Sequence, residues 1–215
     1  MKPWIVLAAI AYAQTLTAGT VVKPLERSNF KPIMFKNIPE TRYLLEAGVL
    51  SATVDRSAGA WVQAFQEPTP VKEIRWQWQA DGRPGVRDKE HEASKAGDDA
   101  VWRIGLMIQG PKPFIPFFAS SWIKQVAEIM KYPSDRMLYL VSDARHAADQ
   151  KWQSPYSSSI ENWAVASTPR SDGWQDVRLV FPQAETVVGI WLMADGDDTK
   201  SQFQTRLRKL ELDTL

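Results

Sequence analysis

The amino-acid sequence predicts an all-β protein, an antiparallel jelly-roll-like β-sandwich with one short accessory helix. About ten short runs have strand composition and are separated by turn residues, which is typical of sandwiches. The clearest is residues 73–81, where apolar and polar residues alternate with the period of two expected of a strand with one buried face. Residues 187–194 are apolar throughout, as in a strand buried on both faces.

The first 18 residues have the features of a cleaved secretory signal peptide. Lys2 gives a positive start, residues 4–13 form an apolar run too short to span a bilayer, and small residues end at Ala18. A buried N-terminal strand or helix is the alternative. Residues 19–39 are proline-containing with little periodicity, which predicts an extended lead-in, and residues 40–215 form the sandwich domain. We therefore expect an exported protein, periplasmic or secreted.

Composition excludes several partners and chemistries. The chain has no cysteine, so it forms neither a disulfide nor a lipid-modified N-terminal cysteine. Its formal charge of +1 gives no reason to expect nucleic acid as a partner. The two histidines lack metal-ligand spacing, and the chain has no nucleophile elbow or glycine-rich phosphate loop. After the signal peptide, no segment is long and apolar enough to be an integral membrane segment.

The first half of the domain contains five predicted strands. Residues 42–47, 49–55 and 60–65 give three, and a turn at Glu67-Pro68-Thr69-Pro70 ends this group, since proline lacks the donor that a central strand needs. Residues 73–81 and 99–109 follow, joined by a long charged loop.

A helix and further strands complete the chain. Ser120 or Ser121 is placed to cap a helix whose apolar stripe is expected to cover an edge or end of the sheet. The later predicted strands are residues 136–142, 156–166, 174–181, 187–194 and 203–212.

Several motifs occur in an order that resembles a known family. They are Ala96-Gly97-Asp98-Asp99 leading into Arg103, then residues 137–142 (MLYLVS), 154–158 (SPYSS) and 190–199 (IWLMADGDDT), with Trp76-Gln77-Trp78 before them. Together they resemble the bacterial domain-of-unknown-function family 3047 over roughly residues 35–212. The resemblance implies a single exported domain with a jelly roll like those of carbohydrate-binding modules, and no reaction. Residues 111–131, with the helix, are an insertion relative to many members and would partly cover a binding face.

Charged residues among apolar ones predict a site on one sheet face. Adjacent side chains in a strand point to opposite faces, so Asp98 is interpreted as a turn residue that accepts backbone donors and Asp99 as a sheet residue. Arg103 is about 13 Å from Asp99 along a strand, so its partner should lie on a neighbouring strand, where Asp195 ends an apolar run. A ligand site and a structural salt-bridge network both fit this pattern.

The turn after that run is a candidate cation site. Asp195, Asp197 and Asp198 offer carboxylate oxygens to a hard cation such as calcium, although their spacing does not match an EF-hand loop. A tight turn with solvated aspartates explains the pattern equally well. No other cofactor is expected.

Ten tryptophans supply both core residues and candidate stacking platforms for sugar rings. Trp76, Trp78 and Trp102 are assigned to the core, with their indole N–H groups bonded to nearby acceptors. The platform candidates lie near turns or on mixed faces: Trp61, Trp152, Trp163 and Trp174.

Three functional hypotheses follow. The first is non-catalytic binding of a glycan or small polar ligand through Asp98, Asp99, Arg103 and Asp195, with a tryptophan such as Trp163 or Trp174 for stacking. The second is a carbohydrate-active hydrolase or lyase with two of these aspartates as its acids. The third is a structural envelope protein that docks through an exposed apolar face.

Overall fold

The computed structural model describes residues 20–26, 29–112 and 120–214. The predicted signal peptide, residues 1–18, lies outside these residues. Among the described helices, none has the length and apolar character needed to cross a membrane.

Twelve strands form one continuous sheet of the all-β type. Their bounds are β1 (Val21–Val22), β2 (Lys31–Ile33), β3 (Arg42–Glu46), β4 (Val49–Asp55), β5 (Ala60–Asp81), β6 (Trp102–Gln109), β7 (Ser134–Ser142), β8 (Lys151–Gln153), β9 (Ile160–Ala164), β10 (Thr168–Pro169), β11 (Gln175–Met193) and β12 (Gln202–Thr214). The order is β3-β4-β12-β5-β11-β6-β7-β9-β8, with β1 beside β12, β2 beside β5 and β10 beside β11. Only β7 and β9 run parallel among the described pairs.

Two long strands carry the sheet from one layer of a sandwich to the other. The C-terminal half of β5 pairs with β12 and with the first half of β11, whereas its N-terminal half pairs with the second half of β11. That second half also pairs with β6. We call the layer that contains β12 the first layer and the layer that contains β6 the second layer. A register shift between Val180 and Glu185 marks the change of layer in β11. The predicted jelly-roll-like β-sandwich is confirmed.

The predicted turn at Pro68 and Pro70 was wrong, because both prolines lie inside β5. Along β5, the pairing with β2 extends only to Val62 and the pairing with β12 starts only at Val71, so between these residues β11 is the only described strand that pairs with β5. A proline on a free strand edge removes no ladder hydrogen bond. The two strands predicted over residues 174–181 and 187–194 are also one continuous, bent strand, β11.

Two short segments of the lead-in join the sheet. Within residues 19–39, which were predicted to be an extended lead-in, β1 pairs with the last strand, β12, and β2 pairs with β5. A short 3₁₀ turn, Pro24–Glu26, lies between these two strands.

The main core lies between the two layers. It contains the three predicted core tryptophans and the alternating face of β6, namely Trp76, Trp78, Trp102, Ile104, Leu106 and Ile108. The Trp76 indole donates to Ser142 Oγ at 3.3 Å, and the Trp78 indole donates to Ser167 Oγ at 3.2 Å. Both bonds join the layers, because Ser142 ends β7 of the second layer and Ser167 follows β9, whereas each donor belongs to the first layer. The Trp102 indole N–H, for which an acceptor was also predicted, has no hydrogen-bond partner among the described residues.

A second apolar cluster covers the outer face of the second layer, and helix α2 (Ser121–Ile129) packs on it. Trp122 of the helix meets Trp191 of β11 edge to face, with ring centroids 6.0 Å apart. The Gln125 side chain accepts from Met34 N at 3.2 Å and donates to Met34 O at 3.0 Å. The accessory helix is therefore confirmed, and it is fastened to β2 as well as to the sheet face.

The charged loop of residues 82–97 is held down by one buried carboxylate. It contains a single helical turn, α1 (Lys89–Glu92). Glu92, at its end, is 3% exposed and accepts from the backbone N–H groups of Arg145 and His146 at 2.9 Å. The loop is thereby joined to the segment that follows β7.

Candidate functional site

Arg103 is the centre of the site predicted from the sequence. It projects from β6 onto the outer face of the second layer and is 4% exposed. Its Nη1 donates to Asp195 Oδ2 and its Nη2 donates to Asp98 Oδ1, each at 2.8 Å. The predicted pair between Asp195 and Arg103 is confirmed.

Strand pairing explains why Asp195 reaches Arg103. Arg103 lies opposite Met193 in the β6–β11 register, and Asp195 continues β11 by two residues on the same face. The Asp195 backbone N–H donates to Ala100 O at 3.2 Å, and its Oδ1 accepts from Ala100 N at 3.0 Å. Both carboxylate oxygens of Asp195 are therefore committed to this contact.

Asp98 differs from its interpretation as a turn residue. It is buried and forms an ion pair with Arg103 instead of accepting backbone donors. If the chain were an extended strand from Asp98 to Arg103, the two side chains would be too far apart for this contact. The strand, however, begins only at Trp102. The bend over residues 98–101 brings the carboxylate back over the arginine.

Asp99 organises the turn that follows Asp195. Its carboxylate accepts from Asp198 N at 3.2 Å, from Thr199 N at 2.6 Å and from Thr199 Oγ1 at 2.6 Å. Asp99 is 2% exposed, so these bonds replace its hydration.

Three carboxylates form an acidic patch, which we define as Asp99, Asp197 and Asp198. Each offers an oxygen, and these oxygens all lie within 4.8 Å of one another. The metal set predicted from the sequence contained Asp195 in place of Asp99. The structure places Asp195 on Arg103 instead, with Asp99 beside the other two acids.

Tyr156 and two lysines border the acidic patch. The Tyr156 hydroxyl lies 2.9 Å and 3.0 Å from the two Asp198 carboxylate oxygens, and the residue is 53% exposed. Lys95 Nζ lies 5.4 Å from the centre of the Tyr156 ring. Lys200 Nζ donates to the backbone oxygen of Asp197 at 2.6 Å. The patch is thus a partly open acidic surface beside an exposed aromatic ring.

Four aspartates of the site hold their protons more tightly than free aspartates do, namely Asp98, Asp195, Asp197 and Asp198. Burial raises the pKa of Asp98 to about 6, against the opposing effect of Arg103. Partial burial and the neighbouring Asp197 and Asp99 raise the pKa of Asp198 to about 6, although the Tyr156 hydrogen bond opposes the rise. The pKa values of Asp195 and Asp197 are also raised, mainly by burial. Burial therefore makes ionisation of these four acids less favourable than in water.

The predicted stacking tryptophans do not join this site. Trp163 is buried against Phe181, with Lys151 Nζ 4.3 Å from its ring centre. Trp174 is also buried, and the Arg208 guanidinium covers its ring at 3.9 Å.

The other two platform candidates are also occupied. Trp61 stacks on Phe30 at 5.8 Å, and Trp152 stacks on His146 at 3.9 Å.

The geometry does not favour the paired-acid hydrolase or lyase. Such enzymes need two carboxyl groups that face each other across an open cleft. Asp195 is paired with Arg103, and Asp99 accepts hydrogen bonds from the backbone of residues 198–199. Both acids are buried, so they do not line an open cleft as a pair of catalytic acids would.

Two features were missed by reasoning from the sequence. Tyr156 was assigned to a strand, although β9 begins only at Ile160 and Tyr156 lies in the preceding loop. Its place in the residue 154–158 motif, next to the aspartate motif in the resemblance, was the available signal. The buried contact between Glu92 Oε2 and His146 Nδ1, at 2.6 Å, had no such signal because the two residues are 54 positions apart.

The fold and site define a β-sandwich in which a buried arginine–aspartate network lies beside an acidic surface patch. The chain belongs to the family described as protein of unknown function (DUF3047), whose pattern matches residues 28–211. No match is found among the curated proteins.

Among solved structures, one similar chain is a loop-swap mutant of Xyn11A from Necallimastix patriciarum. The identity is 8%, the TM-score is 0.28, and the alignment covers 86% of this chain and 100% of that one. At this level the likeness carries no information on function.

Proposed function

We propose that this protein is an exported, non-catalytic binding protein that takes a polyhydroxylated ligand, such as a glycan, at the acidic patch, with calcium bridging protein and ligand. The observation that carries the proposal is the convergence of three carboxylates within 4.8 Å while the nearest arginine is committed to other acids. Like charges this close repel, and a hard cation relieves the repulsion.

Calcium chemistry connects such a patch with a glycan. Calcium takes six to eight oxygen ligands, and three monodentate aspartates supply only some of them. Neighbouring hydroxyls of a sugar are suitable oxygen donors for the remaining positions. The exposed Tyr156 ring beside Asp198 supplies the apolar surface that was assigned to Trp163 or Trp174 on sequence grounds.

Export to the periplasm or the exterior is part of the proposal. It rests on the pattern of residues 1–18 and on the absence of cysteine, which leaves the fold independent of the redox state of its compartment. Expression of the full chain with a C-terminal reporter in a bacterial host, followed by fractionation and N-terminal sequencing, tests this part. A reporter retained in the cytoplasm at full length would contradict it.

Binding is tested in two stages with purified protein. Calorimetric titration with CaCl2 is expected to show one site, and Asp198→Asn is expected to weaken it about tenfold or more, because one charged ligand is lost. Asp149→Asn is the matched control, since Asp149 is an exposed aspartate in a different loop. A panel of cell-wall and storage glycans is then screened with calcium and with EDTA.

The outcomes separate the parts of the proposal. Glycan binding that needs calcium and is lost in both Asp198→Asn and Tyr156→Ala supports it in full. Calcium binding without any glycan response reduces the patch to a cation site. No heat with calcium, and no glycan response in either buffer, overturns it.

A further inference from the structure

A groove separate from the acidic patch lies between helix α2 and the outer face of the second layer. Its volume is about 450 Å³, within the range of small-molecule sites. Its floor comes from the sheet, through Met107, Met137 and Ile160, and one wall comes from the helix, through Ile123 and Ala127. Buried apolar residues thus form the floor, and a helix that is itself only partly covered forms the side.

A groove remains beside α2 because the helix is fixed to the protein along one side. Trp122 and Gln125 hold one side of α2 against Trp191 and Met34. Although its apolar residues face the protein, α2 contains no buried residue. An amphipathic helix normally buries its apolar stripe, so the uncovered part of this stripe has apolar surface available for a ligand.

The groove wall is suited to a flexible chain. Three methionines contribute to the lining, namely Met107, Met130 and Met137. Methionine side chains are unbranched and adapt to irregular apolar shapes.

The charges at the rim favour an anionic end on that chain. Lys112, Lys131 and Arg136 line the groove together with one acid, Asp135. Arg136 is neutralised by Glu185 at 2.8 Å, and Lys131 donates to the uncharged Gln66 side chain. The two lysines therefore outnumber Asp135, which leaves a positive balance.

We propose that this groove binds a single acyl chain with an anionic head, such as a fatty acid or the acyl part of an anionic lipid. The chain lies along the methionine-lined floor, and the head lies near Lys112 and Lys131. This site is independent of the acidic patch and of any calcium there.

The proposal is tested by calorimetric titration with dodecanoate below its micelle concentration, using the whole protein. Ala127→Trp places a large ring in the groove. We expect it to lower the affinity for dodecanoate about tenfold or more, because excluding two methylene groups of the acyl chain from the groove suffices for that change. Glu128→Trp is the matched control: it adds the same ring at the next exposed position of α2, which does not line the groove.

Head recognition is tested by comparing dodecanoate with dodecanol. Lys112→Ala and Lys131→Ala combined should weaken dodecanoate several-fold and leave dodecanol unchanged. Equal loss for both ligands would remove the anionic head from the proposal.

The source of the chain is distinguished with vesicles. Binding to free dodecanoate together with no co-sedimentation with anionic phosphatidylglycerol vesicles assigns the groove to a soluble acyl ligand, whereas sedimentation that Ala127→Trp abolishes assigns it to lipid. No binding of any of these, or equal binding by wild type and Ala127→Trp, overturns the proposal. A dimer that Ala127→Trp dissociates would assign the groove to a second copy of the chain and overturn it as well.

Discussion

Arg103 holds two carboxylates that the protein has almost entirely removed from water. Removing one partner from a buried ion pair leaves an uncompensated charge, which costs far more than the pair contributes. The backbone N–H of Ala100 also donates to Asp195, so a second donor besides the arginine holds this acid.

We expect Arg103→Met to destabilise the fold by about 3–5 kcal/mol, because Asp195 and Asp98 would remain buried without their partner. Urea unfolding followed by tryptophan fluorescence measures this. Arg178→Met is the matched control: Arg178 pairs with Glu73 at the surface, at 2.7 Å, and such a pair is worth about 1 kcal/mol or less. Equal losses in the two variants would contradict a special role for Arg103.

The raised pKa values of Asp98 and Asp198 predict a stability that falls as pH rises. Both pKa values are about 6, above the ordinary value of 3.8, so the folded state binds more protons than the unfolded state between these limits. Stability from these groups is therefore full below about pH 4 and decreases up to about pH 6.

Thermal unfolding of the protein and of Asp198→Asn from pH 4 to pH 7, in EDTA, measures the effect. The variant should lose part of the decrease, since asparagine does not ionise. Parallel profiles for the two proteins would show that Asp198 does not contribute. Calcium should restore stability at pH 7 more than at pH 5, because it binds the ionised carboxylates.

At the scale of elements, the packing of aromatic side chains over the paired strands β6 and β11 depends on one glycine, Gly105. A Cβ on Gly105 would lie 2.9 Å from Trp191 Cβ and 2.9 Å from Tyr139 Cε1, closer than real side chains approach. Trp191 in turn supports helix α2 through Trp122. The glycine therefore controls how closely the outer aromatic cluster packs on the second layer.

We expect Gly105→Ala to cost about 1–3 kcal/mol through overpacking. Gly85→Ala is the control, because an added Cβ there finds its nearest neighbour at 3.5 Å. Chemical denaturation of both variants measures the difference. A loss no larger in Gly105→Ala than in Gly85→Ala would show that Trp191 and Tyr139 move aside freely.

Local patterns predicted the faces of strands better than their lengths. The alternation that places Trp102, Ile104 and Leu106 inward is a property of β6 alone, so it could be read from the sequence. The continuity of β5 through Pro68 and Pro70 could not, because it depends on where β2 and β12 stop on its free edge. Proline composition indicates a turn. Only the positions of the neighbouring strands show that the strand continues instead.

For the site, the sequence predicted the partner of Arg103 but not the whole acidic patch. Asp195 lies at the end of an apolar strand whose alternation places it beside Arg103. The contact between Asp98 and Arg103 depends on an irregular segment before β6, and the bonds that Asp198 N and Thr199 N donate to Asp99 join segments about 100 residues apart. Such contacts leave no periodic signal.

At the scale of the whole molecule, β5 and β11 each belong to both layers of the sandwich. Neither layer has its own complete set of strands, so neither should remain folded when the other is lost. We expect a single unfolding transition, with far-UV circular dichroism and tryptophan fluorescence giving the same midpoint. Separate midpoints for the two probes would show that the layers unfold independently.

The pairing of β1 with β12 places Thr20 beside Thr214, where the Thr214 N–H donates to Thr20 O at 3.0 Å. A short flexible linker can therefore join these two positions into a ring, and the ring can be reopened at the exposed turn around Gly173. Such a circular permutant would have both of its ends at the β10–β11 turn. It would offer a different position for a label while the contacts between the strands stay the same.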